Sequence, residues 1–252
     1  MTRTARILLF ALAGPGLAAV LVIGFTGLPA FGDYHGVYGA VVTGVELSER
    51  HATDYVTALN FDLRAFDTLG EEFILFASVT GVVLLLRASS GEHQGSRDDL
   101  GAHGHLGASE ALRATALLLV AILVALGGYV VLHGALTPGG GFQGGVVLAA
   151  GPVAVIVAGR YLAVRELLPA WALEALDAAG AAGYALLGLA GLVLASVYLK
   201  NFLALGIPDH LLSAGFMPLN SIAVGLEVTG GFLLVFTEFL DQALLIERSG
   251  AG

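Results

Sequence analysis

Of 252 residues, 57% are hydrophobic and 12% charged, and mean hydropathy is +0.86. Soluble domains carry about 25% charged residues, so this composition excludes an ordinary soluble globule and indicates an all-α polytopic membrane protein. The net charge of −9 argues against a nucleic-acid partner. The absence of cysteine excludes disulfides, thiolate metal sites and a cysteine nucleophile.

A bilayer-crossing helix needs about 20 mainly apolar residues. Six stretches meet that demand in chain order: residues 7–31, 67–87, 114–132, 142–161, 178–199 and 219–239. The first follows Arg3 and Arg6, as a signal peptide would. Its apolar run is longer than the ~7–15 residues of a signal core, so it reads as a retained span. Six spans put both termini on one side. Arg3, Arg6, Arg87, Arg97, Arg113, Arg160, Arg165 and Arg248 then share that side, and only Arg50, Arg64 and Lys200 lie opposite. The positive-inside rule makes the termini cytoplasmic. The protein belongs in the cell membrane, with a prokaryotic inner membrane as the expected setting.

The loop after the first span has helical spacing of Val56, Leu59 and Leu63, which predicts a short interfacial helix over 53–63. A Gly/Ser/charged stretch, 88–109, reads as a cytoplasmic linker. It divides the chain into a two-span module, 1–87, and a four-span module, 110–252. His93, His103 and His105 in the linker read as solvated rather than as a metal site, and no cofactor or metal is expected.

Between the third and fourth spans lies Thr137-Pro138-Gly139-Gly140-Gly141-Phe142-Gln143-Gly144-Gly145. Five glycines in nine residues signal close backbone approach or an unusual φ. The string contains G-x-G-x-x-G, and Glu166 lies near the distance expected of a ribose-binding acid. A dinucleotide site needs a strand before the glycines, whereas here a membrane helix precedes them. Gly141 and Gly145, extended by Ala149, form a small-residue stripe suited to tight helix packing. A carbonyl or anion at the helix start is the other reading.

His133-x-x-x-Thr137-Pro138 through Gly145, followed by further spans, resembles the B subunit of Mrp-type multisubunit Na⁺/H⁺ antiporters. Related subunits occur in membrane-bound hydrogenases of the same lineage. Met217-Pro218-Leu219-Asn220 is similar as well. Separately, Asn60-Phe61-Asp62-Leu63-Arg64-Ala65-Phe66-Asp67-Thr68-Leu69-Gly70-Glu71 resembles the end of the large A subunit, usually Asp-Phe-Arg-Gly-Phe-Asp-Thr-Leu-Gly-Glu, with departures at Leu63 and Ala65. The resemblance implies an A-subunit tail fused to a B subunit. It also implies other membrane subunits as partners and Na⁺ and H⁺ as the ions of the complex. No metal-ligand spacing, nucleophile triad or paired-carboxylate arrangement is evident, so no enzymatic reaction is expected of the chain itself.

The residues of that second segment also have a local reading. Thr68 with Glu71 is a capping box before an apolar run. Asp67 and Glu72 favour the positive end of the same helix, and Arg64 can pair with Asp62 or Asp67. The functional alternative is that Asp62, Arg64, Asp67, Glu71 and Glu72 form the outer mouth of a cation path. Glu227 lies within the last span. A carboxylate there costs about 2.5–3.5 kcal/mol or more, so it must face a bundle interior or water. It is either a structural hydrogen-bonding group or a proton- or cation-linked one. Lys200 reads as an interfacial anchor or a relay lysine, and His133 as a turn contact or a titrating relay. Glu238, Asp241 and Glu247 read as the solvated exit of the last helix. Glycines in the fifth and sixth spans suit close packing, including packing among other subunits.

The expected function is that of an integral subunit of a cation/proton antiporter, scaffolding the complex and contributing carboxylates to a cation path. A hydrogenase-type or related respiratory complex is the close alternative, and a stand-alone transporter or channel is the alternative of another class.

Overall fold

Long unbroken runs of Leu, Val and Ala leave the backbone one way to satisfy its polar groups in lipid, which is to form helices. A computed structural model describes residues 3–28, 30–32, 36–86 and 109–249. Among these there are helices and turns and no strand. They are α1 (Arg3–Thr26), α2 (Val37–Arg50), α3 (Tyr55–Ala58), a π-turn (Leu59–Leu63) and α4 (Ala65–Leu86). After these come α5 (Glu110–Leu132), α6 (Gly141–Val157), α7 (Tyr161–Leu167), α8 (Ala170–Ala195) and α9 (Met217–Ser249). The proposed linker lies outside the described residues except for Ser109, whose hydroxyl accepts from the Leu112 N–H and caps α5.

Among the described residues four helices are long and apolar enough to cross a membrane: α4, α5, α8 and Met217–Gln242 of α9. Two shorter apolar helices, Ala11–Thr26 and Gly141–Val157, stand where the first and fourth spans were expected. α6 ends earlier than its apolar run suggests. Gly159 has φ +80°, and a separate short helix, α7, follows. α8 begins eight residues before the expected fifth span, so Glu174 and Asp177 lie inside the helix. α2 was not expected; the spacing of Val37, Val41, Val42 and Val45 was the available signal. The short helix expected over 53–63 is present as α3 and the π-turn.

The chain divides into two compact units, Met1–Val41 and Val42–Gly252. The first holds α1 and the start of α2. The second is organised around α9, whose apolar window is 61% buried within the chain against 11–28% for the other spans. α4 runs beside α9 in the same direction. A Cβ on Gly231 would stand 2.8 Å from Val79, and further along Gln242 Nε2 donates to the Leu86 carbonyl. α8 runs antiparallel to α9, with Gly183 against Ala223, Gly180 against Glu227 and Gly230 against Leu173 and Asp177.

α6 runs beside α9 through the glycine string. A Cβ on Gly141 would stand 2.5 Å from the Ser221 carbonyl oxygen and the Val224 Cβ, and one on Gly145 2.7 Å from the Val228 Cβ. Ala149 continues the stripe, buried. Gly144 faces the other way, onto Val131 of α5. Gly140, at φ +121°, adopts a backbone geometry that only glycine tolerates well. Packing is therefore what this motif does here. The absence of any strand among the described residues removes the nucleotide reading.

The glycines expected to serve neighbouring subunits are used largely inside the chain. Gly188 seats the Tyr198 ring, and Gly191 lies against the Lys200 backbone. Substitution of Gly141 by Ala is expected to lower thermal stability in detergent by about 1–3 kcal/mol through overpacking. Gly70→Ala, at an exposed helical glycine with nothing within 4 Å of the added carbon, is expected to leave stability unchanged or slightly raised. Thermal unfolding of both variants in one detergent checks the contrast.

Candidate functional site: buried carboxyls between three helices

α4, α8 and α9 meet along one line, and each brings an acid to it. Glu72 is 1% exposed, Asp177 3% and Glu227 0%. Glu72 lies seven residues into α4 and Glu227 ten into α9, about 10 and 15 Å from their helix starts. With α4 packed on α9, the two buried carboxyls interact directly. Asp177 sits about one helical turn deeper, its Oδ1 3.0 Å from where a Cβ on Gly231 would stand. Glycine makes the meeting possible, since a Cβ on Gly180 would stand 2.5 Å from both the Cβ and the backbone nitrogen of Glu227.

Both carboxyl oxygens of Glu72, both of Glu227, and Asp177 Oδ1 have no donor partner. Nearby, Tyr184 donates from its hydroxyl to the Ala65 carbonyl at 2.9 Å, and so is already committed. Asn220 lies two turns before Glu227 on the same helix, fully buried, with both amide atoms unpartnered. Sequence reading missed Asp177 and Asn220. Asp177 stands one residue before the apolar run of 178–199 and so outside the expected span. Asn220 was visible only as part of a motif.

The expected outer cluster is divided by the fold. Glu72 turns inward to Glu227, whereas Glu71 remains exposed and lines a shallow recess with Leu59, Asn60, Arg64, Asp67 and Thr68. Arg64 pairs with Asp67, both half-exposed, and such a pair contributes at most about 1 kcal/mol. Asp62 does not pair with Arg64; it is held by Arg50. The capping box is not formed either. α4 starts at Ala65, and the Thr68 hydroxyl donates back to the Asn60 carbonyl at 2.8 Å. That bond ties the π-turn to the helix and leaves Glu71 free of a capping role at Thr68.

Lys200 is exposed beyond the end of α8, with its backbone level with Gly191. Gly191 is fourteen residues past Asp177, about 21 Å along the helix, so the lysine does not join the buried acids. Its neighbour Asn201 does the anchoring: Nδ2 donates to the Ala214 carbonyl and Oδ1 accepts from the Phe216 N–H. His133 caps α5. Its ring stacks on Tyr129 with centroids 4.0 Å apart, and its carbonyl accepts from Leu136 and Thr137.

The turn containing Pro138 and Gly139 is gripped by the segment before α4. Thr53 and Thr57 donate from their hydroxyls to the Leu136 and Gly134 carbonyls, at 2.7 and 2.6 Å. At the other end of the bundle Asp241 is not solvated, as had been expected. The Tyr161 hydroxyl donates to it, and Arg165 Nη2 lies 2.9 Å from its other oxygen. Burial, then the Asp241 carboxylate, push the Tyr161 hydroxyl well above its ordinary value. Glu238 also has an interaction within the fold. The side chain of Glu247, like His93, His103 and His105, lies outside the described residues.

Burial raises the Asp62 carboxyl above the ordinary Asp value, and Arg50 pulls it part of the way back. The folded chain therefore holds this proton to higher pH than the unfolded chain does. Stability from this group falls as pH rises from the ordinary Asp value through the raised one. Arg50→Gln removes the opposing charge and is expected to extend that loss to higher pH. Asp62→Asn is expected to abolish it. Thermal unfolding measured as a function of pH for the two variants checks the sign.

The fold has counterparts in known proteins. The model of a family described as "Domain related to MnhB subunit of Na+/H+ antiporter" matches residues 111–234. An uncharacterised protein of Methanocaldococcus jannaschii is 34% identical over 226 residues, covering 82% of this chain and 84% of the relative. A chain in the structure of the membrane-bound sulfane sulfur reductase, an archaeal respiratory membrane complex, superposes with a TM-score of 0.69 at 27% identity. That match covers 94% of this chain and 98% of the other. A chain of the Mrp complex from Dietzia sp. DQ12-45-1b superposes with a TM-score of 0.64 at 23% identity, covering 94% of this chain and 26% of that longer one. Apolar spanning helices and these matches make the chain a multi-pass membrane protein; it belongs to one family with the uncharacterised Methanocaldococcus jannaschii protein, and its residues 111–234 match the domain related to the MnhB subunit of Na⁺/H⁺ antiporters.

Proposed function

We propose that this chain is a membrane subunit of a multisubunit cation/proton antiporter-like complex, with no enzymatic reaction of its own. In this reading it scaffolds the complex in the cell membrane and places Glu72, Asp177 and Glu227 on an ion path. The observation that carries the path is the line of three buried acids drawn from three spanning helices. A carboxyl at that depth is costly, and ionisable groups inside membrane bundles commonly mark ion or proton routes. The exposed recess holding Glu71, Asp67 and Arg64 lies one residue away in sequence from Glu72 and serves as its mouth.

The basic residues favour cytoplasmic termini, which places the recess at the external face. Residues 1–87 act as an A-subunit-like tail and 110–252 as the B-subunit-like module. The hydrogen bonds of Thr53 and Thr57 to the glycine turn support their working as one piece. The alternative setting is a respiratory membrane complex, and the 98% coverage of the sulfane sulfur reductase chain favours it. Co-purifying iron–sulfur or nickel subunits would select that setting over an antiporter.

Mild detergent purification of the tagged chain is expected to recover further membrane subunits. Recovery as a monomer alone, with robust ion flux in liposomes, would sink the subunit reading in favour of a stand-alone transporter. Within an assembled complex, Glu227→Gln is expected to lower exchange about tenfold or more, which corresponds to about 1.4 kcal/mol. Unchanged assembly together with unchanged exchange removes Glu227 from the path.

A further inference from the structure

Glu72 and Glu227 face one another with four buried carboxyl oxygens and no donor among them. Two ionised carboxylates in that position repel each other in a medium of low dielectric, and neither offers the other a donor. One proton resolves both problems. A protonated carboxyl is a donor, and its neighbour is the acceptor it faces.

Apart from the Phe76 backbone acting on Glu227, the surroundings offer no compensating group. Facing the pair are Glu71 from α4, Asp177 and Tyr184 from α8, and the backbone of Phe76. Tyr184 donates elsewhere. α6, packed on the opposite side of α9, carries no ionisable side chain. On α5 the ionisable groups are Glu110 and Arg113 in the first turn and Tyr129 near the end. Beyond that helix, His133 stacks on Tyr129, and on the π-turn Asp62 is taken by Arg50. No lysine, arginine or histidine is among the groups that act on the two glutamates. Among the described residues no group of three His, Asp or Glu side chains is arranged to hold a metal ion.

We propose that Glu72 and Glu227 hold a single proton between them as a carboxyl–carboxylate pair, and that this buried site binds a proton in preference to a sodium-sized cation. The proposal rests on the reading of the three acids as an ion path and names what that path carries. The proton forms an O–H bond on one glutamate and a hydrogen bond to the other. The pair keeps one negative charge, and Asp177 lies one turn further along the same line.

Infrared difference spectroscopy on the purified protein, in whatever assembly it is recovered, stepped in pH at fixed sodium, tests this. The expected result is a protonated-carboxyl carbonyl band that persists at neutral pH and shifts in D₂O. It is lost in both Glu72→Gln and Glu227→Gln, and retained with a shifted position in Asp177→Asn. Glu227→Asp, which keeps a carboxyl, is expected to restore the band and guards against loss through misfolding. Loss in only one of the two glutamine variants assigns the proton to a single residue and overturns the sharing. The absence of any such band in the wild-type protein overturns the proposal outright. Addition of Na⁺ at constant pH is expected to leave the band intact; its disappearance with proton release overturns the preference for protons. Failure of the subunit reading shows up separately, as recovery of the chain without other membrane subunits, and leaves the infrared outcome unaffected.

Discussion

Close approach of α9 to its neighbours is the constraint on which the structure depends. In lipid, helices gain nothing by hiding apolar side chains from an equally apolar solvent, so association depends on contact area and on hydrogen bonds between helices. Glycine supplies the contact. Gly141 and Gly145 let α6 reach Val224 and Val228, Gly180 lets α8 reach the backbone of Glu227, and Gly230 and Gly231 return the favour to Leu173, Asp177 and Val79. The hydroxyls of Ser221 and Thr229 add bonds to the Val131 and Gly145 carbonyls across the same seams.

The buried acids are a consequence of that packing. A glutamate in the middle of a lipid-facing helix would reach for water; one facing a glycine across a tight seam has nowhere else to go. Glu72 and Glu227 therefore meet in a space from which both lipid and bulk water are excluded. Asp177 joins them because α8 starts earlier than its apolar run. The site is assembled from distant parts of the chain, with Glu72 before residues 88–109 and Asp177 and Glu227 after them. The segment of Thr53 and Thr57 is bound to the glycine turn through the Leu136 and Gly134 carbonyls.

Helix identity was legible in the sequence because apolar runs are long and the backbone in lipid has few options. The glycine string was legible as a packing element through its small-residue spacing, and Gly140 bears out the expected unusual φ. Glu227 stood out because a carboxylate in an apolar run is costly. Other features were hidden for physical reasons. Arg64 had two acids within reach, and the choice of Asp67 depended on the π-turn delivering Asp62 to Arg50. Thr68 had the spacing of a cap, but the helix begins three residues earlier, so its hydroxyl found the Asn60 carbonyl. Asp241 looked solvated until α7 folded back to bring Tyr161 and Arg165 to it.

The sequence by itself determined that the chain is helical, membrane-embedded and built around a glycine-rich turn, because hydropathy and residue size act locally along the chain. It also singled out Glu227. Tertiary structure alone decided that Glu72 rather than Glu71 is its partner, and that Asp177 lies inside the bundle rather than at its edge. Adjacent residues on a helix point about 100° apart, so which of two neighbouring glutamates is buried is settled only by where the next helix stands.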